Sequence, residues 1–239
     1  PKPQTIAIAM ADAEFGRNVC DGARQNAKAA GLKIVYDKTY PPTTTDFAPI
    51  VRAIQAANPD VAVFCSYPLD SVGLIRAINE IGFKPKIVGG AMVGIQATAI
   101  KRQLGSLLNG ITNYETWVPA KTMEYPGVNA FLEKYQARAG AEGVDPLGYY
   151  LGTWGYAYAQ LIEQAISGAN SVNDDKLADY FRSATFKTIM GDVKFGTGGE
   201  WTESRFIAVQ YHGIKDNELD QLKGMNVQTI VGPKRFETG

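Results

Sequence analysis

Several short clusters carry the side chains best suited to recognition chemistry. They are Ala11-Asp12-Ala13-Glu14-Phe15-Gly16, Ser66-Tyr67-Pro68-Leu69, Gly89-Gly90-Ala91-Met92, and the run holding Tyr114 and Trp117. Aromatic rings and small residues dominate, and titratable groups are few. Such a set suits a pocket that grips a small molecule by stacking and by backbone hydrogen bonds. Phe15 and Tyr67 are read as ligand contacts in preference to a mere cover for a sheet edge. Ala91, Met92 and Tyr114 belong to the same rim. Tyr149 and Tyr150 join the candidates, because they open a later helix beside an expected chain crossing.

Catalysis finds little to work with. The one histidine, His212, lies in a late apolar run without a sequence cue for a partner and is read as structural. No Gly-x-Ser-x-Gly, Walker A, His-Glu-x-x-His or Cys-x-x-Cys motif occurs. The Gly196–Gly199 turn lacks the strand-to-helix setting of a dinucleotide site. Asp12 and Glu14 form an acid pair, but a charge just after a strand more often caps a helix. The aromatic stripe Tyr149, Tyr150, Trp154, Tyr156 and Tyr158 reads as core rather than as a cofactor box. Expected catalytic residues, metal ligands and cofactors are therefore none. Cys20 and Cys65 fit neither a disulfide framework nor a metal cluster, and two buried free thiols are favoured over a bridge.

The elements that must position these clusters follow a regular beat. Apolar runs begin at Thr5, Lys33, Val61, Lys86 and Ile111, and read Thr5–Met10, Lys33–Tyr36, Val61–Cys65, Lys86–Val88 and Ile111–Val118. One stretch of helical pattern separates each from the next. Short apolar runs alternating with helices predict strands buried on both faces and joined by right-handed βαβ crossovers. Binding chemistry in such a sheet gathers at the carboxyl ends of the strands. Helices are predicted after Asp12, after Asp46, after Asp70 as a cap, and from about Val93 to Leu108, with Gly89-Gly90 as a break. Beyond Val118 the rhythm changes. Helices are predicted over Val128 to Ala139, Tyr149 to Ile166 and Val172 to Ser183, the last capped by Asn173 or Asp174. Two short strands, Asp192–Phe195 and Arg205–Tyr211, are expected to be joined by the Gly196–Gly199 turn. The middle segment thus shows apolar helix faces and no sheet of its own to bury them.

The 45% apolar content is ample for a core, yet no apolar run approaches a membrane span. Lys plus Arg equals Asp plus Glu at 24 each, so the basic footprint of a nucleic-acid partner is missing. The opening Pro1-Lys2-Pro3 shows no signal-peptide pattern and is expected to be a connection cut in the middle.

The ordered series Lys2-Pro3-Gln4-Thr5-Ile6-Ala7-Ile8, Phe15-Gly16, Thr45-Asp46-Phe47, Asn58-Pro59-Asp60-Val61, Gly73-Leu74-Ile75-Arg76-Ala77, Gly89-Gly90 with Val93-Gly94, and Asp145-Pro146 to Tyr156 resembles the substrate-binding proteins of branched-chain amino acid ABC transporters. This is the leucine/isoleucine/valine-binding group with a type I periplasmic fold. The resemblance implies an α/β architecture: a doubly wound parallel-sheet lobe with an incomplete helical remnant of a second lobe. It assigns residues 1–118 to lobe two, 119–203 to the remnant of lobe one, and 204–239 to a return strand and tail. The N-terminal part of lobe one is expected to be absent, so that a second chain or domain exchange would complete it. The implied function is solute capture in the periplasm, with an ABC permease as partner, no nucleic acid and no chemical step. The alternative is a ligand-sensing domain of a receptor or regulator. In the amino-acid binders lobe two offers an aromatic, a Tyr and an acid after successive strands. Phe15 and Tyr67 fill the first two slots, and Ala91 falls in the third. A buried ammonium there would lack its counter-charge, at a cost of several kcal/mol. The implied ligand is therefore an aromatic or aliphatic carboxylate rather than an α-amino acid.

Overall fold

Five apolar runs become five parallel strands. The computed structural model describes residues 2–239. The strands are β1 (Thr5–Ala11), β2 (Lys33–Tyr40), β3 (Val61–Ser66), β4 (Ile87–Met92) and β5 (Ile111–Glu115). Helices α1 (Glu14–Ala29), α2 (Ala48–Ala56), α3 (Pro68–Ile81) and α4 (Thr98–Leu104) connect them. The sheet runs in the order β2-β1-β3-β4-β5-β8-β9, where β8 is Ile207–Tyr211 and β9 is Gln228–Gly232. β8 and β9 pair antiparallel. The fold is a mostly parallel, doubly wound α/β sheet. The interior strand β1 shows why: Ile6 through Ala11 are all buried, as a strand covered by helices on both faces requires.

The strand boundaries differ from the sequence reading at one instructive place. Gly89 and Gly90 do not follow the fourth strand; they lie inside it, at φ +146° and +136°. A Cβ on Gly89 would sit 1.6 Å from the Thr112 carbonyl oxygen, and one on Gly90 2.6 Å from that of Phe64. The glycines let three backbones approach, whereas a Gly pair in sequence reads as a turn. The single helix expected over 93–108 is also divided. Short 3-10 turns at Val93–Gln96 and Gly105–Leu108 flank α4, and Gly105 turns with φ +50° against Asn217. β2 extends to Tyr40, well past the expected Tyr36.

The amino ends of β1, β3 and β4 are tied by one carboxylate. Asp60 accepts the Gln4 and Thr5 amides at 2.7 and 3.2 Å and faces the Lys86 ammonium at 2.7 Å. The Lys86 ammonium, followed by the Gln4 amide, lowers its pKa from 3.8 to about 2. A depressed carboxylate stabilises the fold above its unfolded pKa and loses that contribution as pH falls through its folded one. Asp60→Asn is therefore expected to be less stable than the native protein at neutral pH, with the difference closing between pH 3.8 and about 2. Urea titrations across that window check it; a constant difference would show that Asp60 does not titrate with folding.

The chain divides into two compact units, the first of residues 2–114 and 208–237, the second of residues 115–207. The second holds α5 (Val128–Glu142), α6 (Leu151–Ala169), α7 (Asp174–Ser183), and the antiparallel hairpin β6 (Thr185–Thr188) and β7 (Gly191–Lys194). Asn173 caps α7 by accepting the Lys176 amide at 3.2 Å. The hairpin corrects two expectations. Residues 192–194 of the expected strand pair with β6, not with 205–211, and the Gly196–Gly199 turn closes only a single bridge, Phe195 with Trp201. Helices α6 and α7 also have a small sheet of their own: Phe186 and Val193 pack with Ala165, Leu161, Leu177 and Phe181. β6 escaped detection because Thr-Phe-Lys-Thr alternates over only four residues. The aromatic stripe of α6 is not core. Trp154, Tyr156 and Tyr158 are exposed, with the Trp154 indole donating to Thr116 Oγ1 at 2.7 Å. Among the described residues no helix is long and apolar enough to cross a membrane.

Candidate functional site

Strand order reverses between β1 and β3, so the chain leaves their carboxyl ends toward opposite faces of the sheet. A doubly wound sheet opens a crevice at this switch point. Phe15 enters it from the first turn of α1 and Tyr67 from the residue after β3. Their rings meet edge to face with centroids 5.7 Å apart. Gly16 allows this entry, since a Cβ there would lie 2.4 Å from the Ala11 carbonyl oxygen. Phe15 leans on the apolar cluster of Ile8, Met10, Cys20, Cys65 and Ala91, against which Tyr114 also packs. Beside Tyr67 lies an open cleft of about 390 Å³, lined by Ala13, Pro42, Tyr67, Pro68, Leu69 and Asp70.

Local hydrogen bonds hold the rim in shape. Tyr40 at the end of β2 donates its hydroxyl to Asp70 at 2.8 Å. Burial first, and the Asp70 carboxylate second, push its pKa far above the usual phenol value, so it remains a donor. Asp70 therefore does not cap α3 as the sequence suggested; it lies within the first turn, and Tyr67 stands at the cap position without a side-chain cap. Ser66 and Ser71 hydroxyls lie 2.8 Å apart, and Ser71 also donates to the Tyr67 carbonyl at 2.6 Å. Asp12 pairs with Arg17 at 2.6 Å rather than capping α1.

Ala91 and Met92 end β4 and are both buried. Met92 exchanges two hydrogen bonds with the Asn113 side-chain amide, at 2.9 and 3.2 Å. That amide takes over where β4 and β5 cease to pair, at Gly90 and Asn113. Asn113 was not singled out from the sequence, although an amide inside an apolar strand run was a usable signal. Gln96 was also missed. Its Nε2 approaches the Tyr114 carbonyl at 3.5 Å, while its buried Oε1 has no partner among the described residues. No sequence pattern marked it.

Tyr149 and Tyr150 belong to the second unit, at the entry to α6. The Tyr149 ring meets buried Trp117 edge to face at 5.3 Å, and burial raises its pKa. His212 bonds Thr229 Oγ1 at 2.8 Å. Among the described residues no cluster of His, Cys, Asp and Glu could hold a metal ion.

The cysteines correct the reading of free thiols. Cys20 and Cys65 form a disulfide, with Cα atoms 6.2 Å apart and both side chains fully buried. Their separation of 45 residues gave no cue, because only the βα packing of α1 on β3 brings them together.

The chain is 29% identical over 223 residues to Leu/Ile/Val-binding protein homolog 8 of Brucella abortus, covering 90% of this chain and 54% of that one. It therefore spans about half the length of the curated relatives it matches. A leucine-binding protein from Thermotoga maritima superposes with a TM-score of 0.73 at 17% identity, over 88% of this chain and 58% of its own. An ABC-transporter solute-binding protein from R. palustris, in complex with 4-hydroxybenzoate, superposes with a TM-score of 0.72 at 18% identity, over 90% and 58%. These two likenesses show the fold. Residues 1–213 match the periplasmic binding protein family, and the chain belongs to it.

Proposed function

We propose that the chain captures a small organic acid for an ABC importer in the periplasm and passes it to a permease without making or breaking a bond. The observation that carries this reading is the charge at the switch-point rim. Where β4 ends, the third slot is held by Ala91, a buried apolar residue. That residue offers no carboxylate to an α-ammonium, whereas a flat apolar body suits the edge-to-face pair of Phe15 and Tyr67. An aromatic or aliphatic carboxylate is the better match. Two solved relatives support it by binding 4-hydroxybenzoate and p-hydroxybenzoic acid respectively. In this reading Phe15, Tyr67, Ala91, Met92 and Tyr114 form one set of contacts, and Tyr149 and Tyr150 supply others. Residues 1–118 with the strand from about 204 serve as a ligand-binding lobe. Residues 119–203 belong to a second lobe that another segment or chain completes; Leu151, Trp154 and Tyr158 are exposed along α6 and support this. The disulfide fits an oxidising compartment such as the periplasm.

A thermal-shift comparison of leucine with 4-hydroxybenzoate tests the reading. The acid should raise the melting midpoint by mass action, and leucine should not. Tyr67→Ala should weaken the response by about fivefold, the value of one aromatic contact. A shift with leucine alone would overturn the proposal.

A further inference from the structure

We infer that the Cys20–Cys65 bridge is a positioning device for the ligand site, a role distinct from its contribution to stability. This rests on the reading of Phe15 and Tyr67 as ligand contacts. The geometry is that of a frame with two arms. Phe15 stands five residues before Cys20 on α1, about 7.5 Å of helix. Tyr67 stands two residues after Cys65 at the end of β3, about 6.6 Å of extended chain. The base of the frame is the Cα separation of 6.2 Å across the bridge, and its open end is the 5.7 Å between ring centroids. Base and opening match, so the two rings stand at the tips of arms whose roots are covalently joined.

Other restraints on the arms are unequal. The Tyr67 arm is held by the Ser66–Ser71 pair and the Ser71 bond to the Tyr67 carbonyl. The Phe15 arm has no side-chain cap at Ala13; Arg17 with Asp12 ties it to β1, Arg24 with Asp37 ties it to β2, and its ring rests on the apolar cluster. The bridge is its covalent tie to β3, the strand that carries Tyr67. Without it α1 keeps the other contacts, but the distance from Phe15 to Tyr67 is no longer covalently fixed. Holding both rings in the bound geometry before a ligand arrives removes an ordering cost from binding.

The test compares the native protein with Cys20→Ala/Cys65→Ala and with Asp60→Asn, a destabilised control altered at the opposite ends of the strands. NMR contacts between the Phe15 and Tyr67 rings are measured first. Titration with 4-hydroxybenzoate follows, at a temperature where all three are folded. Cys20→Val/Cys65→Ala, which refills the sulfur volume, replaces the double alanine variant if that does not fold. The bridge-free protein should lose the ring-to-ring contact and bind the probe about tenfold more weakly. Asp60→Asn should keep both properties. Intact ring contact and native affinity in a folded bridge-free variant would overturn the inference. A native protein that ignores the probe would instead overturn the proposed ligand class, and the ring contact would still report on the bridge.

Discussion

Gly89→Ala is expected to destabilise the first unit by more than about 4 kcal/mol and to leave most of the protein unfolded at 37 °C. A methyl group there would lie 1.6 Å from the Thr112 carbonyl oxygen and 2.9 Å from the Thr112 amide nitrogen. No rotamer can relieve such a clash, because the added atom is Cβ and the obstacle is backbone. Gly89 faces Thr112 in the register of β4 with β5, so relief requires those strands to part. The φ of +146° adds a conformational penalty for any side chain. Gly82→Ala is the matched control. Gly82 also has positive φ, +69°, yet its Cβ would meet open space at the end of α3. Its cost should stay near 1–2 kcal/mol, the ordinary penalty for a left-handed residue. Urea unfolding of both variants separates steric from conformational cost. Equal midpoints would show that β4 and β5 are not packed as described.

Trp117→Ala should cost the second unit about 3–5 kcal/mol. The indole is 2% exposed, donates to the Met123 carbonyl at 2.8 Å, and meets the Tyr149 ring at 5.3 Å. Its removal opens a large cavity and leaves that carbonyl with the Tyr125 amide, at 3.1 Å, as its other donor. A second readout comes from Tyr149, whose pKa burial holds above 10. With the indole gone, water reaches the phenol and its pKa should fall toward the usual value. Nuclear magnetic resonance titration of the Tyr149 ring in the folded variant measures this among the 12 tyrosines. An unchanged Tyr149 titration would mean that other groups desolvate the ring.

The sheet was legible because a strand buried on both faces leaves a short apolar run, and five such runs survive side by side in the sequence. Phe15 and Tyr67 became candidates from that pattern, because binding groups gather at the carboxyl ends of such strands. What stayed hidden depends on contacts between distant segments. Gly89 and Gly90 punctuate a sequence like a turn, and only the approach of Thr112 and Phe64 reveals why a strand needs them. The cysteines lie 45 residues apart, and α1 must pack on β3 before a bridge is conceivable. β6 has too few residues to show a period, and its identity as a strand comes from β7. Asn113 and Gln96 act through their amide groups, which hydrophobic patterning ignores. The exposed aromatics of α6 went wrong for the opposite reason: patterning predicts burial without saying which surface provides it.

The placement of β8 and β9 has a kinetic consequence. They extend the sheet beyond β5, yet their residues come from 207–211 and 228–232. A nascent chain can finish β1 to β5 long before either strand leaves the ribosome. During that interval the outer rim of β5 presents unsatisfied amide and carbonyl groups, a template for association with any extended peptide nearby. Completion of the first unit must await synthesis of residues 207–232, and a holding chaperone would find its most useful substrate in that waiting period.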